Sequence, residues 1–407
     1  MRFNVGIDFV KAVKKTPMLI AVRPTLAKLA ASMWAIAALT LFHASAASGQ
    51  TWSWTFERVD ETARFTSIAV DKRGNVHIAY TDGSYHVVKY AFGDRQTQRW
   101  YTMNVDPNLQ NATTRLTLDS KGNPHICYPD WSSIKHAYWD GKRWVIQEIS
   151  PGGAKEYTCS LAISSDGIPF VTWYQTHGSN NLAYYHVRTA VLRDKAWLAG
   201  TIDSDGEAGK WNSTVLDSQG NPFISYSRFP SGELKLAHWT GKNWNISYID
   251  SLTNDTSKVV RGMGNCLRID TQGNLHISYY GEKDLRYAVQ EAGKWIIRKV
   301  DDIPPSDSWV GYLSSLDLDN AGHPHISYDD GGELKHAFSD GTEWHIQTIT
   351  AGAGDPYRYC SIGIGPNNTI YISYRDPQDG SLMVAVGQPK EATSLSTTPR
   401  SISPKNN

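Results

Sequence analysis

An excess of charge of either sign is missing from this sequence, which sets 40 basic against 40 acidic side chains in 407 residues. A balanced chain carries no long-range field for nucleic acid or a strongly anionic partner, so no nucleic acid is expected and electrostatic recognition has to be local. Long apolar runs are scarce as well. The one that stands out, residues 29–42, follows Lys11, Lys14, Lys15, Arg23 and Lys28 and precedes His-Ala-Ser-Ala. That order reads as a secretory signal over residues 1–46 with cleavage near Ala46, and Met18 and Met33 are alternative starts. The run is shorter than the ~20 residues a membrane span needs. After signal removal the chain is therefore expected to be no integral membrane protein and to be secreted or periplasmic. No Cys follows the run, which speaks against a lipoprotein.

Cysteine is rare, with four residues, and histidine-rich metal spacings do not occur. What is abundant is Trp (15), Tyr (21) and Gly (33), a composition of many short strands and turns. The stretch GHPHISYDD at 322 looks dense enough for acid–base chemistry, but it recurs. GNVHIAYTD stands at 74, GNPHICYPD at 122, GIPFVTWYQ at 167, GNPFISYSR at 220, GNLHISYYG at 273 and NTIYISYRD at 368. Seven copies at a mean spacing of 49 residues signal a propeller or solenoid.

Each repeat divides into four strands. SSLDLD is followed by the turn NAGHP and HISYDD, then by LKHAFSD, the turn GTE and WHIQTI. The third strand recurs at 88, 134, 234 and 285, and the fourth opens on a Trp at 100, 144, 197, 244, 295 and 344. The seventh repeat stops after its third strand. TWSWTFERVD at 51–60 supplies the missing one, since Trp54 matches Trp144 in position. The expected architecture is an all-β, seven-bladed β-propeller of four-stranded blades over residues 51–388, its ring closed by the N-terminal strand completing the last blade. Closure removes the free edges that invite aggregation. The Ser/Thr/Pro-rich tail, 389–407, has little to bury and is expected to be disordered.

Recurrence makes His77, His125, His276 and His325 structural. They are expected buried and donating to partners between blades, while Asp119, Asp217, Asp270 and Asp319 bond the turn ahead of the repeat glycine. Cys159 and Cys360 occupy one point of the repeat, Cys266 the next, and Cys127 is mid-strand. Equivalent points of non-adjacent repeats lie beyond the ~7 Å limit for a bridge, so buried free thiols are expected.

The turn before the fourth strand reads WDGKRW at 139, WTGKNW at 239 and SDGTEW at 339. This G-x-x-W ending resembles the Asp-box of the sialidase-like propellers, the bacterial neuraminidase repeats, although the acid stands one residue before the glycine, as Asp140 or Asp340. The resemblance implies the scaffold only. An R-I-P stretch is lacking, so sialidase chemistry is not implied. Calcium loops of the D-x-D-x-D-G kind are lacking too, DSDGE at 203 reads as a turn, and no metal or cofactor is expected.

Function is expected on the face that carries the long, varied blade connections. These place a cation beside an aromatic residue ahead of the innermost strand: Arg64 with Phe65, Lys155 with Tyr157, Lys210 with Trp211, Tyr357 and Tyr359 around Arg358. Arg261, Trp309 and Tyr312 hold similar places, and Trp131, His177 and Arg228 extend the surface. Aromatic faces stack on sugar rings and cations hold carboxylate or sulfate. The expected binding residues are therefore Arg64, Tyr157, Lys210, Trp211, Arg261, Trp309, Tyr312, Tyr357 and Arg358, around the channel mouth of a monomer. Three functions fit: a secreted carbohydrate-binding propeller preferring acidic glycans, a polysaccharide lyase using one of His177, Tyr157, Tyr312 or Tyr357 as base, or an envelope scaffold that binds protein.

Overall fold

A computed structural model describes residues 51–84, 86–107, 113–130, 133–151, 158–177, 184–229, 232–251, 263–281, 284–302, 313–330, 332–351 and 359–390. The expected signal segment and the chain beyond Lys390 lie outside them. The described chain is strand throughout. β1 (Trp52–Asp60) comes first, and blade 1 follows as β2 (Arg64–Val70), β3 (Val76–Thr81), β4 (Val88–Asp94) and β5 (Arg99–Asp106). Blade 2 is β6 (Arg115–Leu118), β7 (Pro124–Asp130), β8 (Ser133–Trp139) and β9 (Trp144–Pro151). Blade 3 is β10 (Cys159–Ile163), β11 (Pro169–His177), β12 (Tyr184–Arg193) and β13 (Ala196–Asp203). Blade 4 is β14 (Glu207–Leu216), β15 (Pro222–Phe229), β16 (Glu233–Trp239) and β17 (Trp244–Asp250). Blade 5 is β18 (Met263–Ile269), β19 (Leu275–Tyr280), β20 (Asp284–Glu291) and β21 (Lys294–Asp302). Blade 6 is β22 (Ser315–Leu318), β23 (Pro324–Asp329), β24 (Glu333–Ser339) and β25 (Trp344–Ala351). Blade 7 is β26 (Ser361–Ile364), β27 (Ile370–Arg375) and β28 (Leu382–Pro389), with β1 as its fourth strand. The protein is a seven-bladed β-propeller of four-stranded antiparallel blades.

Closure runs in register from Trp52 opposite Pro389 to Arg58 opposite Met383 and, past a one-residue bulge, ends with Asp60 opposite Leu382. Trp54 lies opposite Gly387 as Trp100 lies opposite Gly93, and a Cβ at either glycine would sit 2.7 or 2.8 Å from the indole. Each indole thus rests on bare backbone. Second strands such as β3 are buried at every residue, because both faces of a blade pack on neighbours. Fourth strands, at the rim, alternate exposed and covered side chains. A single parallel pair, Tyr185 with Glu207, joins the third strand of blade 3 to the first strand of blade 4.

The repeated motif proves to be scaffold. In blades 1, 2, 4, 5 and 6 the turn aspartate (Asp71, Asp119, Asp217, Asp270 or Asp319) accepts two backbone N–H groups of its own turn through one oxygen. The other oxygen accepts from Asn75, Asn123, Asn221 and Asn274 in four of them. The histidines are buried as expected, but their partners belong to the same blade. Nδ1 of His77 meets the Tyr90 hydroxyl at 2.6 Å, and His276 meets Tyr287 at 2.6 Å. His125 and His325 meet Nε2 of His136 and His336 at 3.0 Å. The pairing stays within a blade because second and third strands are hydrogen-bonded neighbours, whereas the next blade offers mostly apolar side chains.

A polar clasp joins successive blades instead. The tyrosine ending each HISY-type strand donates to an aspartate at the end of the preceding blade's fourth strand. Tyr80–Asp60, Tyr128–Asp106, Tyr226–Asp203, Tyr279–Asp250 and Tyr328–Asp301 span 2.5 to 3.1 Å. The same carboxylates receive Lys89, Lys135, Lys235, Arg286 and Lys335 from the third strand. Burial pushes all five tyrosines above their ordinary range, with the carboxylate adding to it, so they stay donors. The remaining two interfaces differ: blades 6/7 have Thr350 for the acid and Met383 for the base, whereas blades 2/3 have Ser150 for the acid and Trp173 for the tyrosine but keep a base, Arg188, which donates to Thr201 of its own blade at 2.5 Å.

Candidate functional site

The innermost strands of all seven blades surround a central cavity of about 910 Å³. Its wall is largely apolar side chains of regular strand, but the end under the blade connections is built differently. There the first strands of blades 1, 4 and 5 carry the same bulge, between Arg64 and Ser67, Lys210 and Ser213, and Met263 and Cys266. The extra residue adopts a left-handed backbone: Phe65 at φ 52°, Trp211 at 50° and Gly264 at 57°. Glycine takes that conformation freely, whereas an aromatic residue is strained there. Neighbouring blades hold the strained units in place. Thr114 donates to the Phe65 carbonyl at 2.7 Å, Asn265 donates its amide to the Trp211 carbonyl, and Ser314 donates to Gly264 at 3.2 Å.

The bulge decides which predicted residues meet. Trp211 and Lys210 line the cavity; Arg64 does not, and its neighbour Phe65 does, packed on Tyr359 with ring centroids 4.2 Å apart. The mouth is thus floored by Phe65, Trp211 and Tyr359, one residue along from the Arg64, Lys210 and Arg358 positions that the repeat spacing selects. Spacing arithmetic assumes regular alternation, and an inserted residue turns the adjacent side chain inward. The Lys210 ammonium lies 5.7 Å from the Tyr174 ring of blade 3, at the interface that the clasp of Tyr226 and Lys235 on Asp203 also spans. Arg228 is engaged by Asp205 at 3.2 Å and Glu233 at 3.1 Å, and His177 ends β11. Tyr157, Arg261, Trp309, Tyr312, Tyr357 and Arg358, with Lys155 and Trp131, lie outside the described residues.

Of the cations inside the cavity, the repeat spacing selects Lys210 but not Arg115 or Arg268, which line it with Asp317 and Asp329. Arg268 donates to Asp317 at 3.3 Å, and Asp317 also accepts the Ile364 N–H at 2.9 Å. All four cysteines are free, three of them buried. Among the described residues the one grouping of three metal-type ligands is Asp340, Glu343 and His345, in the turn between third and fourth strands of blade 6. Asp340 there accepts the Thr342 and Glu343 N–H groups and meets His345 at 2.9 Å, which is the work of a turn.

No protein-family pattern matches the chain, and no curated protein matches it. Solved structures do. A variant of the Aleuria aurantia lectin in complex with Fucα1-6GlcNAc superposes with a TM-score of 0.51 at 12% identity, over 72% of this chain and 98% of the lectin. A PL25 polysaccharide lyase, an ulvan lyase bound to -[GlcA(1-4)Rha3S]-, gives 0.55 at 12% over 82% of this chain and 96% of its own. A fungal alcohol oxidase of the AA5 family in complex with copper gives 0.54 at 12% over 84% and 76%. At this identity the likeness shows the fold alone. It spans a lectin, a lyase and an oxidase, so the site has to argue for itself.

Chemically, the mouth offers three aromatic rings around an opening, hydroxyls of Thr113 and Thr158 beside them, and a cation at Lys210. No histidine lines the cavity among the described residues, and the tyrosines of the clasps are held protonated. The arrangement suits stacking and charge-assisted hydrogen bonding.

Proposed function

We propose that the protein binds glycan chains at the loop-face mouth of its channel, preferring acidic ones. One observation carries this reading: Phe65 and Trp211 are both held in a left-handed conformation that presents their rings at the mouth. Strain of that kind persists where the surroundings over-determine it, and it collects at ligand clamps. Trp211, Phe65 and Tyr359 stack on sugar rings; Lys210 and Arg358 hold carboxylate or sulfate. Tyr157, Arg261, Trp309, Tyr312 and Tyr357 complete the rim. The likeness to a lectin holding a fucosylated disaccharide and to a lyase holding a sulfated, uronate-containing chain supports a glycan ligand. The signal at 1–46 would deliver the protein outside the cytoplasm, where such chains are met.

Titration calorimetry with neutral and uronate- or sulfate-bearing oligosaccharides tests it. Trp211→Ala is expected to weaken both classes by about tenfold, the ~1–3 kcal/mol usual for a lost stacking contact. Lys210→Met with Arg358→Ala is expected to weaken acidic chains alone, and added salt does the same. Unchanged affinity in both variants would move binding off this face and leave protein recognition as the better reading. Cleavage of uronate-containing chains is the second reading, supported by the likeness to two polysaccharide lyases. An ultraviolet-absorbing unsaturated product on incubation with a bound polysaccharide would establish it.

A further inference from the structure

Deeper in the channel, each first strand places one side chain at the same level: Ser67, Arg115, Ser160, Ser213, Cys266, Ser315 and Ser361. The serines form a belt. Each accepts a backbone N–H from the next blade, Ser67 from Leu116 at 3.0 Å, Ser160 from Thr214 at 2.9 Å, Ser213 from Leu267 at 3.0 Å, Ser315 from Ile362 and Ser361 from Ile68 at 3.2 Å. The Cys266 thiol donates to the Leu316 carbonyl at 3.6 Å. Arg115 breaks the belt between blades 2 and 3.

That arginine differs from the other bases of the clasps and of the channel. The basic groups of the five clasps have acids, Arg268 in the same cavity has Asp317, and Arg188, which keeps the base position at the blade 2/3 interface where the acid is replaced by Ser150, donates to the Thr201 hydroxyl at 2.5 Å. A half-buried guanidinium without a protein partner has its hydrogen-bond donors available to an anion. Among the described residues no hydrogen bond or ion pair engages the Arg115 guanidinium. The guanidinium acts electrostatically on the Cys127 thiol, but burial holds that thiol in the neutral form, so no counter-charge comes from there.

We infer that Arg115 seats an oxyanion, a sulfate or carboxylate, inside the channel between blades 2 and 3. A guanidinium fork matches the paired oxygens of either group. Ser67, Thr113, Thr158 and Ser160 line the cavity around it as hydroxyl donors, and about 910 Å³ admits a free ion or the acid group of a chain entering from the mouth. The seat does not depend on glycan recognition at the mouth.

The test uses the mature chain, inorganic sulfate at constant ionic strength, and a sulfated oligosaccharide, with Arg115→Ser as the main variant. Serine is the belt residue of five other blades, so this variant is expected to melt no lower than wild type without sulfate. Wild type is expected to gain thermal stability saturably with sulfate, and Arg115→Ser to need at least tenfold more; general salting effects are common to both. If the free ion does this without competing with the oligosaccharide, the ligand is a free ion. If only oligosaccharide binding weakens tenfold, it is the acid group of a chain. Trp211→Ala should leave the sulfate response in place, so failure at the mouth is separable from failure here. Equal responses of wild type and variant to both probes would overturn the inference, and so would a lower melting temperature of Arg115→Ser in sulfate-free buffer, which would assign Arg115 an internal partner. Arg115→Gln replaces the serine variant in every arm if that one does not fold.

Discussion

At five blade interfaces a lysine or arginine reaches an aspartate of the preceding blade; at blades 6/7 both members are neutral, Thr350 and Met383, and at blades 2/3, where Ser150 replaces the acid, Arg188 donates to the exposed Thr201 hydroxyl instead. The joint replacement at blades 6/7 follows from desolvation: a buried pair is tolerable, while a buried half of a pair is not. Lys235 and Asp203 are the most enclosed example, with side chains 4% and 6% exposed and 2.6 Å apart. Burial opposes ionisation of Asp203, but the bonds from Lys235 and Tyr226 outweigh it and hold its carboxyl below the ordinary range. Lys235→Met alone is expected to cost roughly 3–5 kcal/mol, as does breaking other buried pairs. Lys235→Met with Asp203→Thr copies the pair Met383 and Thr350 and should recover most of that loss in urea denaturation. A double variant no better than the single one would show that the clasp acts through something other than charge balance. The clasps escaped the sequence reading because their members are 29 to 36 positions apart and fall in different repeats, as Lys89 with Asp60 or Arg286 with Asp250 do. The signal was present in the Val-Asp and Ile-Asp endings ERVD, NVD, TID, YID and KVD, and Asp203 passed for part of an ordinary turn. The histidines add a dependence on pH. Burial lowers His77, His125, His276 and His336 below the ordinary value and His136 to about 3. The unfolded chain, with histidine near ~6.5, then binds more protons than the fold in mild acid. Stability is therefore full above that value and is lost as pH falls through it. His136→Tyr, the residue that blades 1 and 5 carry at this place as Tyr90 and Tyr287, is expected to flatten the fall in melting temperature between pH 7 and 5; an unchanged slope would assign the acid sensitivity elsewhere.

The strands themselves were readable because each obeys a local rule. Alternation, the repeat glycine and the rim tryptophan recur at fixed offsets, and Trp54 identified β1 as a fourth strand although its partner lies more than 300 residues away. What offsets cannot report is an inserted residue. The bulges at Phe65, Trp211 and Gly264 shift the inward position by one, which is why Arg64 was placed at the mouth and Phe65 was not. β1 carries two expectations. Deleting residues 51–60 strips blade 7 of its outer strand and exposes the edge of β28, together with the His325, His336 and Phe338 rings on which Trp52 packs. The product should unfold or aggregate, since an unpaired edge templates association; an unchanged melting temperature would refute closure by this strand. Gly387→Ala is milder. The added methyl would stand 2.7 Å from the Trp54 ring, so a cost of roughly 1–3 kcal/mol is expected from overpacking, and none if the indole swings away freely.

For the ring as a whole, seven interfaces share one closed circuit, and their polar connections are unequal. Between blades 4 and 5 there are the clasp of Tyr279, Arg286 and Asp250, the belt bond from Leu267 to Ser213, and the Asn265 amide on the Trp211 carbonyl. Between blades 2 and 3 none of these three occurs among the described residues. Ser150 and Trp173 stand where the clasp has its aspartate and tyrosine, Arg188 bonds to Thr201 of its own blade, Arg115 replaces the serine, and Cys159 stands where Asn265 or Thr114 would bond. What joins that interface is mainly apolar: Cys127, Ile134, Cys159, Leu161, Val171 and Trp173 pack in one buried cluster, beside one long bond from the Ser120 hydroxyl to the Ser165 carbonyl at 3.5 Å. Apolar packing holds blades together without fixing individual amides, whereas each belt serine occupies one N–H directly. Of the seven amides at that level, those of Ile68, Leu116, Thr214, Leu267 and Ile362 donate to serine, and those of Leu161 and Leu316 do not. Hydrogen exchange followed residue by residue should therefore find Leu161 at least tenfold less protected than Leu267. An interface opens at the free energy of its own contacts, below that of global unfolding. In Arg115→Ser the new hydroxyl stands where Ser160 and Ser213 stand in their blades, within reach of the Leu161 N–H, and its protection should rise towards that of Leu116. Equal protection of Leu161 and Leu267 in the wild-type protein would mean that the apolar cluster alone makes the blade 2/3 interface as tight as the others, and that the ring has no preferred place to open.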